Sequence, residues 1–264
     1  MVSNAAVLFL HGGPGLSAIA ERELYGRTLP VYWWDQPRSV VLYADAFAAL
    51  LDAAEEELRA LAEQTGSPVN LLAHAFGTHL ALRLASRLPG LVNEVMLLAP
   101  VRDLGDAFIR IGERLRTFYP AAAPLVDALD DFRRERDYEL FAKLAAQVTS
   151  FANFIDVYWA QAANARRCWY IDLLAHHPIL DASAFEVLVK SFWTHPTPSY
   201  ADVHAPVHIV SGALDCLVDA QAETASWKDQ LDCVSSQIIE AGHFIHLEQS
   251  PSVWWPRNWA RSSR

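Results

Sequence analysis

Residues 71–82, LLAHAFGTHLAL, change from a continuous apolar run to a helical pattern within a few residues. A short apolar run followed by this pattern predicts a buried strand that passes directly into a helix. The residues on either side of the turn are small, which allows the strand and the helix to pass close to each other. We therefore predict a strand over residues 69–73, a sharp turn with Ala75 at its tip, and a helix over residues 78–87.

The same alternation continues on both sides of this unit. Further strands are predicted at residues 7–10, 31–34, 94–98, 207–211 and 236–239. Further helices are predicted at residues 44–64, 220–230 and 248–259, the last made irregular by Pro251 and Pro256. Short apolar strands that alternate with helices are typical of a parallel sheet with helices on both faces. The sequence therefore predicts the α/β class, with a mostly parallel central sheet flanked by helices.

One long segment interrupts the alternation. Residues 104–198 contain no convincing strand pattern and are rich in aromatic side chains within helical patterns. We predict that residues 1–103 and 199–264 form the α/β core. Residues 104–198 then form an inserted, all-helical cap over it.

Composition limits the partners and cofactors that we expect. The formal net charge of −10 argues against binding to nucleic acid or to anionic membranes. The start of the chain lacks a basic segment before its apolar run, and no apolar stretch is long enough to span a bilayer, so we expect a cytoplasmic protein. The three cysteines have no CxxC spacing, and adjacent residues such as His176 and His177 form a poor chelate, so we expect no metal and no organic cofactor. The sequence does not indicate an oligomeric state.

Four loops follow predicted strands and meet at the carboxyl edge of the sheet, where open parallel sheets place their sites. The first is HGGPG, residues 11–15, in which glycine backbone can approach a ligand closely and offer N–H groups to an oxyanion. The second is the turn at Ala75, where enzymes with this kind of turn carry a nucleophile and where the N–H of Phe76 would be a second oxyanion donor. An ordinary tight turn is the alternative interpretation of each.

The third loop, SGALD, ends in Asp215, a carboxylate that could orient an imidazole, with Asp219 as a second candidate acid. The fourth, AGHF, offers His243 as a base, with His246 as a less suitable rival. One histidine among ten is more often structural than catalytic. The order along the chain, turn tip, then acid, then histidine, favours His243 and Asp215 as a functional pair.

This ordered set resembles the α/β-hydrolase superfamily, and HGGPG followed by YWWDQP resembles its proline iminopeptidase branch. The resemblance implies the α/β-hydrolase fold with a helical cap and an acyl-transfer site. In that site Gly13 and Phe76 would form the oxyanion hole, Asp215 would orient the base, His243 would be the base, and Ala75 would occupy the place of the nucleophile.

The sequence departs from the proline iminopeptidase pattern at three points. Pro37 and Arg38 follow DQ where the branch has a more glycine-rich turn, and Ala75 has no hydroxyl group. The chain also begins almost directly at the strand before HGGPG, so we expect no antiparallel hairpin ahead of it.

Three hypotheses account for Ala75. The chain is an inactivated form of a serine hydrolase, with alanine put in place of the nucleophilic serine. Alternatively, alanine is natural and His243 with Asp215 performs non-hydrolytic acid–base chemistry, as in a lyase, an isomerase or a cyclase. In the third hypothesis the protein only binds a ligand.

The predicted substrate is a small, partly apolar acyl compound, such as an ester, an amide, a thioester or a lactone. We expect the residues Gly12, His74, Phe154, Tyr158 and Trp159 to line its pocket. Acidic cap residues could receive a substrate amine, although most are expected to be solvated: Asp103, Asp106, Asp156, Asp172 and Glu186.

Overall fold

Six parallel strands form a single sheet in the computed structural model, which describes residues 6–152, 154–177, 181–196, 198–231 and 234–259. The strands are β1 (Val7–Leu10), β2 (Val31–Trp33), β3 (Val69–His74), β4 (Val92–Leu98), β5 (Val207–Gly212) and β6 (Val234–Ile239). Their order across the sheet is β2-β1-β3-β4-β5-β6, and every neighbouring pair is parallel. This confirms the predicted α/β class and places the carboxyl ends of all six strands at one edge.

Helices cover both faces of the sheet because its central strands are apolar on both faces. All residues of β1 and β3 are buried. Since side chains alternate along a strand, Leu8 and Leu10 of β1 join the core beneath helices α2 (Ala46–Thr65) and α3 (Gly77–Arg87). Phe9, between them, joins a second core on the opposite face with Trp254 and Trp259. Helix α1 (Ile19–Tyr25), which the sequence analysis did not predict, packs on this second face through Tyr25.

The described residues between β4 and β5 form helices only, together with two short 3₁₀ turns at Phe154–Tyr158 and Gln161–Ala163. The helices are α4 (Leu104–Phe118), α5 (Ala123–Arg134), α6 (Tyr138–Thr149), α7 (Asn164–His176) and α8 (Ala182–Trp193). Side chains of α4, α5 and α6, among them Ile111, Leu129 and Phe141, share an apolar cluster that is distinct from the two sheet cores. The division into a core and a cap at residues 104 and 198 stays a prediction.

The predicted helix over residues 248–259 is wrong. The chain there forms two four-residue helices, α10 (Ile245–Glu248) and α11 (Pro251–Trp254), after helix α9 (Ala220–Lys228) and β6. Proline has no N–H and a fixed φ, so Pro251 cannot continue a helix but can begin one. Pro251 accordingly occupies the first turn of α11, where the Ser250 hydroxyl accepts the N–H of Ser252.

No helix within the described ranges has the length and the apolar character needed to cross a bilayer.

Candidate active site

Ala75 lies in the turn between β3 and α3 with a φ of +48°, in the left-handed region that non-glycine residues rarely adopt. The turn is held on both sides, since the Ala75 N–H donates to the Leu98 carbonyl at 3.0 Å and its carbonyl accepts the Thr78 N–H at 3.1 Å. Gly77 begins α3 directly against β1: a methyl group on it would lie 2.1 Å from the Leu10 carbonyl oxygen. A strained turn that is fixed by its surroundings is the geometry of a nucleophile elbow.

The glycine-rich loop after β1 packs against this turn. A methyl group on Gly12 would lie 2.5 Å from Nδ1 of His74 and 3.0 Å from the Cβ of Ala75. Gly13, the next residue, has a φ of +61°. The backbone N–H groups of Gly13 and Phe76 make no hydrogen bond to any other described residue, so both are available to an acceptor.

The DQ pair after β2 holds the glycine-rich loop in place. The Asp35 carboxylate accepts the Ala18 N–H at 2.8 Å, and the Gln36 side-chain oxygen accepts the Gly15 N–H at 3.3 Å. The Gln36 N–H in turn donates to Nε2 of His11 at 3.2 Å. The loop backbone is therefore fixed before any ligand arrives, as an oxyanion site requires.

His243 and Asp215 form a buried pair at the ends of β6 and β5. Nδ1 of His243 lies 2.8 Å from Oδ2 of Asp215, with side chains 3% and 0% exposed. The other carboxylate oxygen accepts the Leu217 N–H at 2.8 Å, which fixes the acid. Because a carboxylate only accepts hydrogen bonds, Nδ1 of His243 carries the proton in the neutral ring and Nε2 is left as the basic atom.

Glycines also bring the loops of this pair together. A methyl group on Gly212 would lie 2.3 Å from the Gly242 carbonyl oxygen and 2.4 Å from that of Ala241. The Leu214 N–H donates to the Ala241 carbonyl at 2.9 Å. The sequence signal for this contact was the glycine in each loop, SGALD and AGHF.

His74 lies beneath the site and is 2% exposed. Burial, and then the neighbouring histidines His246 and His243, hold the pKa of His74 well below its usual value, so the ring is neutral. Its Nε2 lies 3.0 Å from the His243 carbonyl oxygen and donates to it. The residue before the tip of the turn therefore supports the histidine loop from below.

The aromatic residues expected around a substrate divide between two clusters. Phe154 and Tyr158 pack on the apolar cluster that contains Ala75, Val101 and Val218. Trp159 lies in another cluster, with Phe244 and other side chains. Tyr158 also links the clusters to His243, since its ring centroid lies 5.6 Å from that of His243 and its carbonyl accepts the His243 N–H at 2.7 Å. Sequence reasoning missed this contact because it uses a backbone group.

The rival residues have other partners. Asp219 caps α9 by accepting the N–H groups of Gln221 and Ala222. His246 pairs with Glu21 of α1, with Nε2 2.8 Å from the carboxylate and both side chains buried. Nothing in the sequence pattern indicated Glu21, because its helix was not predicted.

The acidic residues of the helical segment mostly form surface ion pairs. Asp103 and Asp106 both contact Arg136, and Asp156 lies 3.5 Å from Arg167. Asp172 lies 3.7 Å from His176. Within the described ranges, no three potential metal ligands are grouped closely enough to hold an ion.

Comparisons with known proteins agree on the fold. The alignment with the structure of E-2-(acetamidomethylene)succinate hydrolase covers 96% of this chain and 89% of that protein, with 18% sequence identity and a TM-score of 0.55. The alignment with the 2-hydroxy-6-oxo-6-phenylhexa-2,4-dienoate hydrolase BphD from Rhodococcus sp. strain RHA1 covers 95% of this chain and 88% of that protein, with 15% sequence identity and a TM-score of 0.60. The alignment with MenH from S. aureus covers 96% of this chain and 91% of that protein, with 15% sequence identity and a TM-score of 0.57. These likenesses show the fold alone.

No functionally curated protein matches the chain in a sequence comparison. The sequence profile described as the alpha/beta hydrolase family matches residues 7–253, which is nearly the whole chain. The strand order, the turn at Ala75 and the loops at the carboxyl edge fit that match, and we conclude that this chain belongs to the alpha/beta hydrolase family.

Proposed function

We propose that this site belongs to a serine hydrolase that cleaves acyl bonds, and that Ala75 stands where the nucleophilic serine would be. The observation that carries the proposal is the strained turn at residue 75, φ +48°, packed against the glycine-rich loop. A methyl group does not need such a turn. The buried His243–Asp215 pair supports the same proposal, since it is the acid and base that a hydroxyl at position 75 would require.

With a serine at position 75, each step has a residue to perform it. Nε2 of His243 takes the hydroxyl proton as the oxygen attacks the acyl carbonyl, and Asp215 stabilises the resulting imidazolium. The N–H groups of Gly13 and Phe76 bind the oxyanion. His243 then protonates the leaving group, and the acyl-enzyme is hydrolysed when His243 takes a proton from water.

The surroundings of Ala75 favour a small, apolar acyl group. Its methyl lies in an apolar cluster with Val101, Phe108, Val157 and Val218. His243 and Asp215 are almost fully covered, so a substrate reaches them only when the covering residues move. Esters, thioesters, lactones and amides all fit this description, and the aminoacyl amides of proline iminopeptidases are one class among them.

The test is to make Ala75→Ser and to measure hydrolysis of short acyl esters and of aminoacyl arylamides. We expect a gain of about 10³-fold or more over the Ala75 protein, lost again when His243→Ala is added. Ala99→Ser is a matched control, because Ala99 is also buried, also follows a strand and has a φ of +44°. No gain in Ala75→Ser, or an equal gain in Ala99→Ser, contradicts the proposal.

A second candidate is acid–base chemistry by the Ala75 protein itself, as in a lyase, an isomerase or a cyclase. It is favoured by the intact His243–Asp215 pair, which needs no nucleophile to transfer a proton. In that case His243→Ala abolishes a reaction of the unmodified chain. If His243→Ala leaves saturable ligand binding unchanged and no reaction is found, the protein is a binder. Burial raises the pKa of the Cys216 thiol, so Cys216 is not a preformed thiolate nucleophile.

A further inference from the structure

The loop of residues 241–244 is here called the His243 loop. Within it, the backbone groups of Gly242 and His243 form hydrogen bonds with three separate elements. The Gly242 N–H donates to a carboxylate oxygen of Glu248, on α10, at 2.8 Å. The His243 N–H donates to the Tyr158 carbonyl at 2.7 Å, and the His243 carbonyl accepts from His74 at 3.0 Å. The orientation of the His243 ring therefore depends on contacts outside its own loop.

Glu248 has a second contact, which joins the His243 loop to the helical segment. Both of its carboxylate oxygens lie 3.4 Å from the backbone nitrogen of Ala160. The same segment lies directly on Gly242, where a methyl group would be 2.5 Å from the Tyr158 carbonyl oxygen and 2.6 Å from the Ala160 nitrogen. Residues 158–160, here called the cap segment, therefore sit on the loop with no room for a side chain between them.

The Glu248 carboxylate accepts hydrogen bonds from both backbones at this junction, from the Gly242 N–H and from the Ala160 N–H. Burial raises the pKa of Glu248, and the two N–H groups oppose that change by stabilising the charged form. Each hydrogen bond from a backbone N–H to a carboxylate is of the charge-assisted kind, stronger than one between neutral groups. Glu248 therefore adds a side-chain link to the direct backbone hydrogen bond from the His243 N–H to the Tyr158 carbonyl.

We propose that Glu248 is a positioning residue that fixes the His243 loop to the cap segment, so that the loop that carries the base has all of its contacts when the cap segment lies on it. Displacement of the cap segment for substrate entry would remove the Tyr158 acceptor and the Ala160 donor together. The His243 loop would then lose these contacts when the site opens and regain them when it closes, while Asp215 and His74 remain in contact with His243. The consequence for catalysis rests on the proposed hydrolase function, whereas the link between loop and cap segment does not.

The first test uses the Ala75 protein and needs no activity. In Glu248→Ala, amide hydrogen exchange at Gly242, His243 and Ala160 should become about tenfold faster or more, because both backbones lose their shared acceptor. Glu248→Gln keeps one acceptor oxygen, so its exchange rates should lie between those of the unmodified chain and those of Glu248→Ala. This intermediate result separates the effect from general misfolding. The matched control is Glu223→Ala: Glu223 is also a partly buried carboxylate that accepts a backbone N–H, that of Arg102, away from the His243 loop. Unchanged exchange at Gly242 and Ala160 in Glu248→Ala overturns the link.

The second test adds Glu248→Ala to Ala75→Ser. We expect kcat to fall about tenfold or more, with a smaller change in KM, because the base is misplaced while the acyl pocket remains. The nitrogen-bound proton of His243, which a buried hydrogen bond to Asp215 shifts to low field in NMR spectra, should broaden in the same variant. If Ala75→Ser is inactive, the hydrolase function fails while the exchange result still decides the link. If Ala75→Ser is active and Glu248→Ala changes neither kcat nor the proton signal, the positioning role is wrong.

Discussion

The chain has two buried histidine–carboxylate pairs whose histidines are three residues apart in sequence. His243 pairs with Asp215, and His246 pairs with Glu21, each with a nitrogen 2.8 Å from a carboxylate oxygen. All four side chains are nearly inaccessible to solvent. By distance and burial alone, the two pairs are equivalent.

They differ in what surrounds the ring. The ring of His243 lies beside Tyr158, which packs on the cluster that contains Ala75. The ring of His246 lies against Phe9 and Trp254, which belong to the second core of the sheet. His74 lies between the two rings, 4.9 Å and 4.5 Å away. A histidine–carboxylate pair is therefore not a site by itself, and its place relative to the strained turn decides whether it can act on a substrate.

The largest expected effect separates the two pairs by their acids. In the Ala75→Ser background, Asp215→Asn should lower turnover by about 10⁴-fold, since the wrong tautomer of His243 is then favoured. Glu21→Gln should leave turnover within about threefold, because its histidine packs against Phe9 and Trp254 and not beside Tyr158. Steady-state kinetics of both variants on the same ester make the comparison. Equal losses in the two variants would show that the pairs act as one network.

The turn at Ala75, which lies near only one of the two pairs, is expected to require a residue without a side chain at Gly77. Gly77→Ala places a methyl group 2.1 Å from the Leu10 carbonyl oxygen, so β1 and α3 must separate. The free energy of unfolding should fall by about 3 kcal/mol, as overpacking of a buried site costs. Denaturant titration measures this, with Gly90→Ala as the control, because a methyl group on Gly90 meets no atom within 4 Å. Equal losses in the two variants would mean that the close approach of strand and helix is not under strain.

Much of the fold was predictable from the sequence, because its strands and loops leave patterns within short stretches of the chain. The central strands are short, largely apolar runs, and glycines mark the loops at the ends of β1, β3, β5 and β6, so these positions could be predicted. Contacts made by backbone groups or by distant polar side chains left no pattern, and the Tyr158 carbonyl and Glu21 were missed for that reason. The helix predicted over residues 248–259 failed because Pro251 starts a new helix.

The smallest expected effect concerns buried histidines that lack a carboxylate partner. Burial, and then Arg83, lower the pKa of His79 from 6.5 to about 3. The unfolded chain therefore binds the proton first as the pH falls, and stability is lost between about pH 6.5 and about pH 3. The expected slope from this residue is about 1.4 kcal/mol per pH unit. His11 and His74, whose pKa values are also lowered, add to it in the same direction.

The measurement is denaturant unfolding at several pH values between 6 and 4, in the unmodified chain and in His79→Gln. The variant should lose less stability on acidification, since one proton-binding group of the unfolded chain is gone. An identical dependence on pH in both proteins would contradict the role of His79.

Covalent labelling tests the central claim most directly. An alkyl fluorophosphonate transfers its phosphonyl group to a serine oxygen with loss of fluoride, and the transfer requires an activated hydroxyl. We predict one adduct per chain on residue 75 of Ala75→Ser, located by peptide mass spectrometry, and none in Ala75→Ser with His243→Ala. No adduct on residue 75, or an adduct that persists without the His243 imidazole, would contradict the claim that this turn and this histidine form one acyl-transfer site.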